Sequence, residues 1–372
     1  MPRNYIALAI PFFLLAIGVE LLAARARGRS VYRLQDALAD LGCGVGQQVA
    51  MVFGGASLLA AYAWLLERGA PWRFAEGSAW PWAIAFVWVD LAYYWWHRLS
   101  HEVNFLWAVH AVHHQSEDYN LAVALRQAVL SAFTSFPFYA PMALLGVPTV
   151  VYATMVALST LYQFWIHTEL VGKLGPLELV LNTPSAHRVH HAVNPRYLDR
   201  NYAAVLIVWD RLFGTYAEER ERPVYGVTKP IRSFNPAWAQ VQAWAEILEK
   251  ARGLSGLDRL RVWWRSPAWS PAGGGPPSEE RVQARSRHEA PVPGAVRTYA
   301  LLQFAPLVAL TFAMLLWQAS APRLALGAAA LLALWTLLSV GGLLDGRRWA
   351  VAAEAARLAA LAAVLVGWAA GA

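Results

Sequence analysis

Eight stretches of this sequence stay poor in charge for about twenty residues at a time, and that pattern excludes most folds before any motif is read. They lie near 5–24, 43–66, 80–96, 128–146, 149–166, 299–318, 322–343 and 349–371. A hydrocarbon core of about 30 Å is crossed by roughly 20 apolar residues as a helix, which satisfies its own backbone hydrogen bonds there. The composition agrees. Hydrophobic residues make up 58% of the 372 positions and charged ones only 15%, against about a quarter in soluble domains. A soluble chain of this size could not cover so much apolar surface with polar groups. Disordered, collagen-like and disulfide-scaffold classes fall for the same reason. The expected fold is all-α: a polytopic membrane helical bundle of about eight spans.

The arginines set an orientation. Segment 167–297 holds 18 of the 31 Lys and Arg residues, and Arg25, Arg27, Arg29 and Arg33 follow the first run. Basic loops stay on the cytoplasmic side, which puts 97–127 and 167–297 there together and the N-terminus outside. Because its basic flank follows the apolar run, 5–24 is expected to be an uncleaved span. The net charge of +7 therefore reports topology and not a nucleic-acid partner. The expected organisation is N-terminal spans over 1–80, a chemistry-bearing domain over 81–218, a cytoplasmic amphipathic segment and linker over 219–296, and C-terminal spans over 297–372. Within the third part, 236–265 is expected to lie on the leaflet, and 270–277 to be a flexible linker.

The chemistry sits in the histidines. Nine of the ten lie between 97 and 191: His97 and His101; His110, His113 and His114; His167; His187, His190 and His191. Positions i, i+3 and i+4 share one helical face, so each set can direct its imidazoles at one point. His101 and His110 are nine residues apart, half a turn out of phase at about 100° per residue. The chain must bend near 102–105, or the boxes must sit on separate elements. Thr183 can cap the third box, with Pro184 at its first helical position. The sets flank a proline-broken hairpin whose two ends return to one membrane side. Nine neutral ligands exceed what one ion takes and suit two metals with open positions. A lone Cys43 excludes thiolate clusters. A zincin needs His-Glu-x-x-His, but Arg98 follows His97; no histidine has Glu three residues before it, as carboxylate-bridged bundles require. His288, apart from the rest, is expected to be structural.

The ordered boxes HxxxH, HxxHH and HxxHH resemble the fatty acid hydroxylase and sterol desaturase superfamily. The runs around them resemble its alkylglycerol (glyceryl-ether) monooxygenase branch: His113-His114-Gln-Ser-Glu117-Asp118-Tyr119-Asn120, Ala124-Leu-Arg126-Gln127, His167-Thr-Glu169, Asn182-Thr183-Pro184, and Asn201-Tyr202 through Trp209-Asp210 to Gly214-Thr215. The likeness covers about 88–216. It implies two iron ions held by the nine histidines in a cytoplasmic helical cap, O2 as oxidant, and hydroxylation of a lipid C–H drawn from the bilayer. In the ether-lipid branch the carbon attacked is next to the ether oxygen, and the product falls apart to a fatty aldehyde and a glycerol. The branch's animal members take electrons from tetrahydrobiopterin, so that cofactor or another reductant is implied; nothing else in the sequence names the donor.

Asp90 and Glu102 are the carboxylate candidates for a catalytic role, since Asp90 shares a helical face with His97 and Glu102 adjoins His101. Glu117, Asp118 and Glu169 are candidates to orient imidazole N–H groups. Arg126 and Arg188 suit a headgroup or a pairing with those acids, and Trp95, Trp96 and Trp107 an acyl tunnel. The last three runs read as scaffold, with Glu354 and Arg357 at pairing distance. Two other functions remain: sterol or fatty acyl hydroxylation or desaturation, and metal binding without turnover, as in a transporter with ligands in mid-span.

Overall fold

The computed structural model describes residues 5–371 apart from Gly274 and Pro276, so two positions of the 270–277 linker lie outside the described residues. In chain order the helices are α1 (Tyr5–Ala26), α2 (Leu34–Gly69), α3 (Trp80–Glu102), α4 (Asn104–His114), α5 (Ser131–Tyr139), α6 (Pro141–Leu144), α7 (Thr149–Trp165), α8 (Pro184–His190), α9 (Val208–Leu212), α10 (Pro236–Arg252), α11 (Asp258–Trp264), α12 (Glu279–Gln283), α13 (Gly294–Trp317), α14 (Arg323–Leu344) and α15 (Arg348–Gly371). Among the described residues there is no strand; two isolated bridges, Leu181 with Leu206 and Ala192 with Tyr225, are the only extended pairings.

Five helices are long and apolar enough to cross a membrane: α1, α2, α13, α14 and α15. The other three expected spans fold differently. The 128–146 run is two short helices of 9 and 4 residues, divided where Pro141 begins α6. The next run becomes α7, only 17 residues long, and the 80–96 run becomes a 23-residue helix that carries Asp90 and ends on the first histidine box. The turn between α6 and α7 falls at Gly146-Val147-Pro148: Gly146 has φ +78, and a Cβ there would come within 3.0 Å of the Trp72 carbonyl.

α2 starts earlier than its apolar run. At 36 residues it is about 54 Å long at 1.5 Å per residue, well beyond a bilayer core. Its first turns carry Asp36 and Asp40, both buried. Asp40 takes a hydrogen bond from Arg126 at 3.1 Å, and Asp36 from Arg33 at 3.1 Å and Ser116 at 2.8 Å. Polar pairing thus extends the helix out of the apolar bundle and into the histidine-bearing cap. One core joins Val45, Val49 and Val52 of α2 to Phe304, Leu307 and Leu337 of α13 and α14; another joins Tyr62 of α2 to Val89 of α3, Met142 of α6 and Tyr152 of α7.

α10 and α11 do not leave every apolar face for a leaflet. Ala239 of α10 packs beside Val109 and Val112 of α4, and Ala243 and Ile247 beside Ala108 and Ala111. Within α15, Glu354 and Arg357 pair at 2.5 Å as their spacing suggested.

Candidate metal centre

α3 ends at Glu102, Val103 is extended (φ −117, ψ 117), and α4 begins at Asn104. That single extended residue is the bend the nine-residue offset demanded, and it folds the first two boxes back onto one another. The third box sits on α8, whose first turn is held by the Thr183 side chain accepting from Ala186 N–H, with Pro184 next. His167 follows α7 directly. None of these elements is among the five candidate spans.

The nine rings gather into two groups. His97, His101, His110, His114 and His190 form one; His113, His167, His187 and His191 form the other. Within each, one nitrogen per ring lies within 4.8 Å of every other. A metal–nitrogen bond of about 2.1 Å spaces two ligands on one ion by at most about 4.2 Å, so small adjustments suffice. No carboxylate falls in either group. All nine are buried.

Four rings are pinned by carbonyl oxygens. His97 Nδ1 lies 2.7 Å from the Tyr202 carbonyl, His113 Nδ1 3.0 Å from that of Arg126, His167 Nδ1 2.7 Å from that of Gln163, and His190 Nδ1 2.9 Å from that of Arg200. A carbonyl only accepts, so each Nδ1 carries the proton and each neutral Nε2 is a bare lone pair. Yet His113 Nε2 and His167 Nε2 face each other at 3.2 Å. Two lone pairs in a dry site repel unless a cation lies between. Protonation is a poor remedy, because burial lowers the pKa of His167 and pushes that of His113 down to about 4. His101 Nε2 and His191 Nε2 are buried without a partner. Neutral, unpartnered, convergent imidazole nitrogens are what divalent first-row metals bind.

The carboxylates lie elsewhere. Asp90 accepts from Val205 N–H at 2.8 Å, Leu206 N–H at 3.0 Å and the Trp209 indole at 2.9 Å. Glu102 pairs with Arg98 at 2.9 Å on the exposed side of α3. The structure brings neither to a histidine group. Glu117 and Asp118 meet Arg33, Arg285 and Arg287, and Glu169 meets Arg29; four imidazole N–H groups are oriented by main-chain carbonyls instead, and the carboxylate that faces a ring is Asp199, 3.6 Å from His101 Nδ1. Arg126 pairs with Asp40, and Arg188 with Glu219 at 2.7 Å; both find acids, though not the expected ones. His288 stacks on Phe234, apart from both groups.

Tyr202 lies in one of the runs that carry the resemblance, but sequence reasoning gave it no role at the site. Its ring lies 5.3 Å from His101 and 5.8 Å from His97, and its buried hydroxyl has no partner. Burial first, then Asp199, raises its pKa, so the phenol stays protonated. Asp210 holds that residue by accepting from Tyr202 N–H at 2.8 Å and Ala203 N–H at 2.9 Å. The carboxylate thus fixes the carbonyl that fixes His97.

A cavity of about 690 Å³ reaches His101, His114, His190 and His191 past Trp107, Val193, Leu198 and Ile247, with Lys229, Glu246 and Lys250 also on its wall. The histidine groups are therefore buried and are reached through a passage. Of the other two tryptophans, Trp96 is buried with its ring 5.5 Å from that of His110, and Trp95 lies against Phe213.

The family model for fatty acid hydroxylases matches residues 82–215, the stretch that carries all nine histidines. The chain is 39% identical to the alkylglycerol monooxygenase of Homo sapiens over 360 residues, covering 95% of this chain and 81% of that protein. It is 37% identical to the alkylglycerol monooxygenase of Danio rerio over 98% of this chain and 81% of that one. A bacterial relative, the ornithine lipid hydroxylase OlsE of Rhizobium tropici, is 31% identical over 37% of this chain and 44% of its own. No solved structure matches the chain.

Proposed function

The chain belongs to the alkylglycerol monooxygenase family of the fatty acid hydroxylases, and on that premise we propose that it hydroxylates the carbon next to the ether oxygen of alkylglycerol-type lipids. One oxygen atom of O2 enters the C–H bond and the other leaves as water, with two electrons and two protons supplied by a reductant. The hemiacetal then breaks its C–O bond to give a fatty aldehyde and a glycerol.

The observation that carries this reading is the pair of convergent all-histidine groups. We assign His97, His101, His110, His114 and His190 to one iron and His113, His167, His187 and His191 to the other. Two iron ions held there would supply the oxidising chemistry with O2. Five and four nitrogens leave open positions on six-coordinate ions, and the lack of an anionic ligand keeps the site's positive charge high. The chain's own part is positional. Carbonyls of Tyr202, Arg126, Gln163 and Arg200 fix the tautomers of His97, His113, His167 and His190, and burial keeps those four rings neutral and ready to bind. The Tyr202 hydroxyl gives the five-histidine side a protonated polar group in an otherwise aromatic wall. We assign Asp90 to positioning, since it holds the 205–209 segment next to the Tyr202 carbonyl, and Glu102 to the surface pair with Arg98.

The cytoplasmic side is the expected location of the cavity mouth, where a soluble reductant, tetrahydrobiopterin or another, has access. Because the ligands lie outside the five candidate spans, mid-span transport is the weaker reading. The test is metal analysis combined with aldehyde release from a labelled 1-O-alkylglycerol under O2 and reductant. About two irons per chain with aldehyde formed supports the proposal. A hydroxylated or desaturated acyl or sterol product with the ether intact overturns the ether-lipid specificity, and bound metal without any product overturns the enzyme reading.

A further inference from the structure

α10 and α11 each bury one face and expose another that also carries large apolar side chains, with Glu249 exposed among them on α10. On α10 the exposed side carries Trp238, Val241 and Leu248, 43%, 47% and 46% accessible, at spacings that return to one helical face. On and beside α11, Leu257, Leu260 and Trp264 are 65–68% accessible. Large apolar side chains gathered in this way mark an interaction surface. Arg252, Arg259 and Arg265 are exposed among them, and among the described residues no carboxylate pairs with any of the three.

The place of α10 in the fold says what lies opposite. Its first residue, Pro236, is wedged against Gly42 of α2 and Gly341 of α14, where a Cβ would come within 2.5 Å and 2.7 Å of the proline ring. Both are candidate spans, and Gly341 is three residues from the end of α14. α10 therefore leaves the bundle at the level where a span ends. Its remaining face, with Ile247, Gly253 and Leu254, lines the cavity that ends on His101 and His114.

We infer that the exposed faces of α10 and α11 rest on the leaflet adjoining the histidine centre, with anionic headgroups against Arg252, Arg259 and Arg265, and that this platform sets the cavity mouth where a bilayer lipid can enter it. Apolar stripes flanked by arginine are what an in-plane helix presents to an anionic membrane. The surface stands without any assigned reaction; its role in feeding lipid rests on the proposed function.

The chain carries one cysteine, buried Cys43, so single reporter sites are easily made. Leu248→Cys, Leu260→Cys and a control, Glu280→Cys on α12, are labelled with bimane in vesicles of phosphatidylcholine and phosphatidylglycerol. Quenching by brominated lipid that is severalfold stronger at 248 and 260 than at 280, with weaker quenching by iodide, is expected. Equal quenching at all three sites overturns the inference. So does shielding from both quenchers with disulfide-linked dimers through Leu260→Cys, which would make this face an interface between copies. Leu260→Glu with Trp264→Glu should raise the apparent KM for a glyceryl ether held in the bilayer about tenfold, but not for a short-chain ether dispersed in detergent. An equal rise for both overturns the feeding role. Immersed probes with no ether turnover by the unaltered protein support the platform and count against the proposed reaction alone.

Discussion

At the scale of single residues, four of the nine imidazoles are committed before any metal arrives. His113 donates Nδ1–H to the Arg126 carbonyl and His190 to that of Arg200, so both offer Nε2 only. Replacing either with Ala removes one nitrogen and leaves a void no neighbour can fill as a ligand. His113→Ala should lose metal from the four-histidine group, and His190→Ala from the five-histidine group, with aldehyde release falling at least about a hundredfold in each; metal content and turnover of the purified variants check this. The same burial has a pH consequence. With its folded pKa pushed down to about 4, metal-free His113 binds fewer protons folded than unfolded between about pH 4 and its ordinary value near 6.5. Stability then rises with pH across that window and is lost as pH falls through it. His114, His187, His190 and His191 are lowered as well, by burial first, so the effects add in direction. The melting temperature of the metal-free protein should drop steeply from pH 6.5 to pH 4.5. A flat profile would show that the rings are hydrated and the site not formed without metal.

At the scale of elements, the legible and the illegible separate by the range of the interaction. The histidine boxes could be read because i, i+3 and i+4 are neighbours in sequence, and the break at Val103 followed from an angular offset. The Thr183 cap was equally local. Asp90 was visible as an acid facing the same way as His97, but its partners lie more than a hundred residues on, at Val205, Leu206 and Trp209. Nothing in the local pattern distinguishes an acid that serves a metal from one that ties down a loop. The carbonyls that orient the rings were unreadable in principle, since every residue has one. The tie itself can be tested. Asp90→Asn keeps one accepting oxygen but sets an NH2 group against donors from Leu206 and Trp209. Leaving buried donors unmet costs about 1–3 kcal/mol. The variant should melt lower and bind metal more weakly while still binding it, which separates a positioning acid from a ligand; loss of metal as complete as in His190→Ala would make Asp90 part of the site.

For the whole molecule, the apolar runs gave a bundle, yet hydropathy alone placed its edges poorly. Asp36 and Asp40 lie inside α2 because Arg33, Ser116 and Arg126 meet them, so the helix starts nine residues before its apolar run. The 128–166 hairpin is apolar without being long, since Pro141 and Pro148 divide it and its core is shared with α2 and α3. The C-terminal candidate spans carry no ligand, and beside their apolar packing they share an ionic cluster of a kind rarely left in an apolar bundle without a purpose. Glu354 and Arg357 of α15 pair at 2.5 Å; Ser339 of α14 and Tyr299 of α13 both donate to Glu354, and Arg357 donates to Gln303 of α13. One carboxylate thus fastens three helices. Removing it alone leaves a buried guanidinium unpaired, a change that costs about 3–5 kcal/mol where both partners are enclosed, whereas replacing both partners by apolar residues of similar volume is often neutral. Glu354→Ala should therefore destabilise α13–α15 strongly, and Glu354→Leu with Arg357→Met should recover most of the loss. Thermal unfolding in detergent measures both. Because neither residue approaches the histidines, metal content per folded chain should stay constant through the series. If it falls with the melting temperature, these three spans support the metal centre directly and are more than a lateral wall of the bundle.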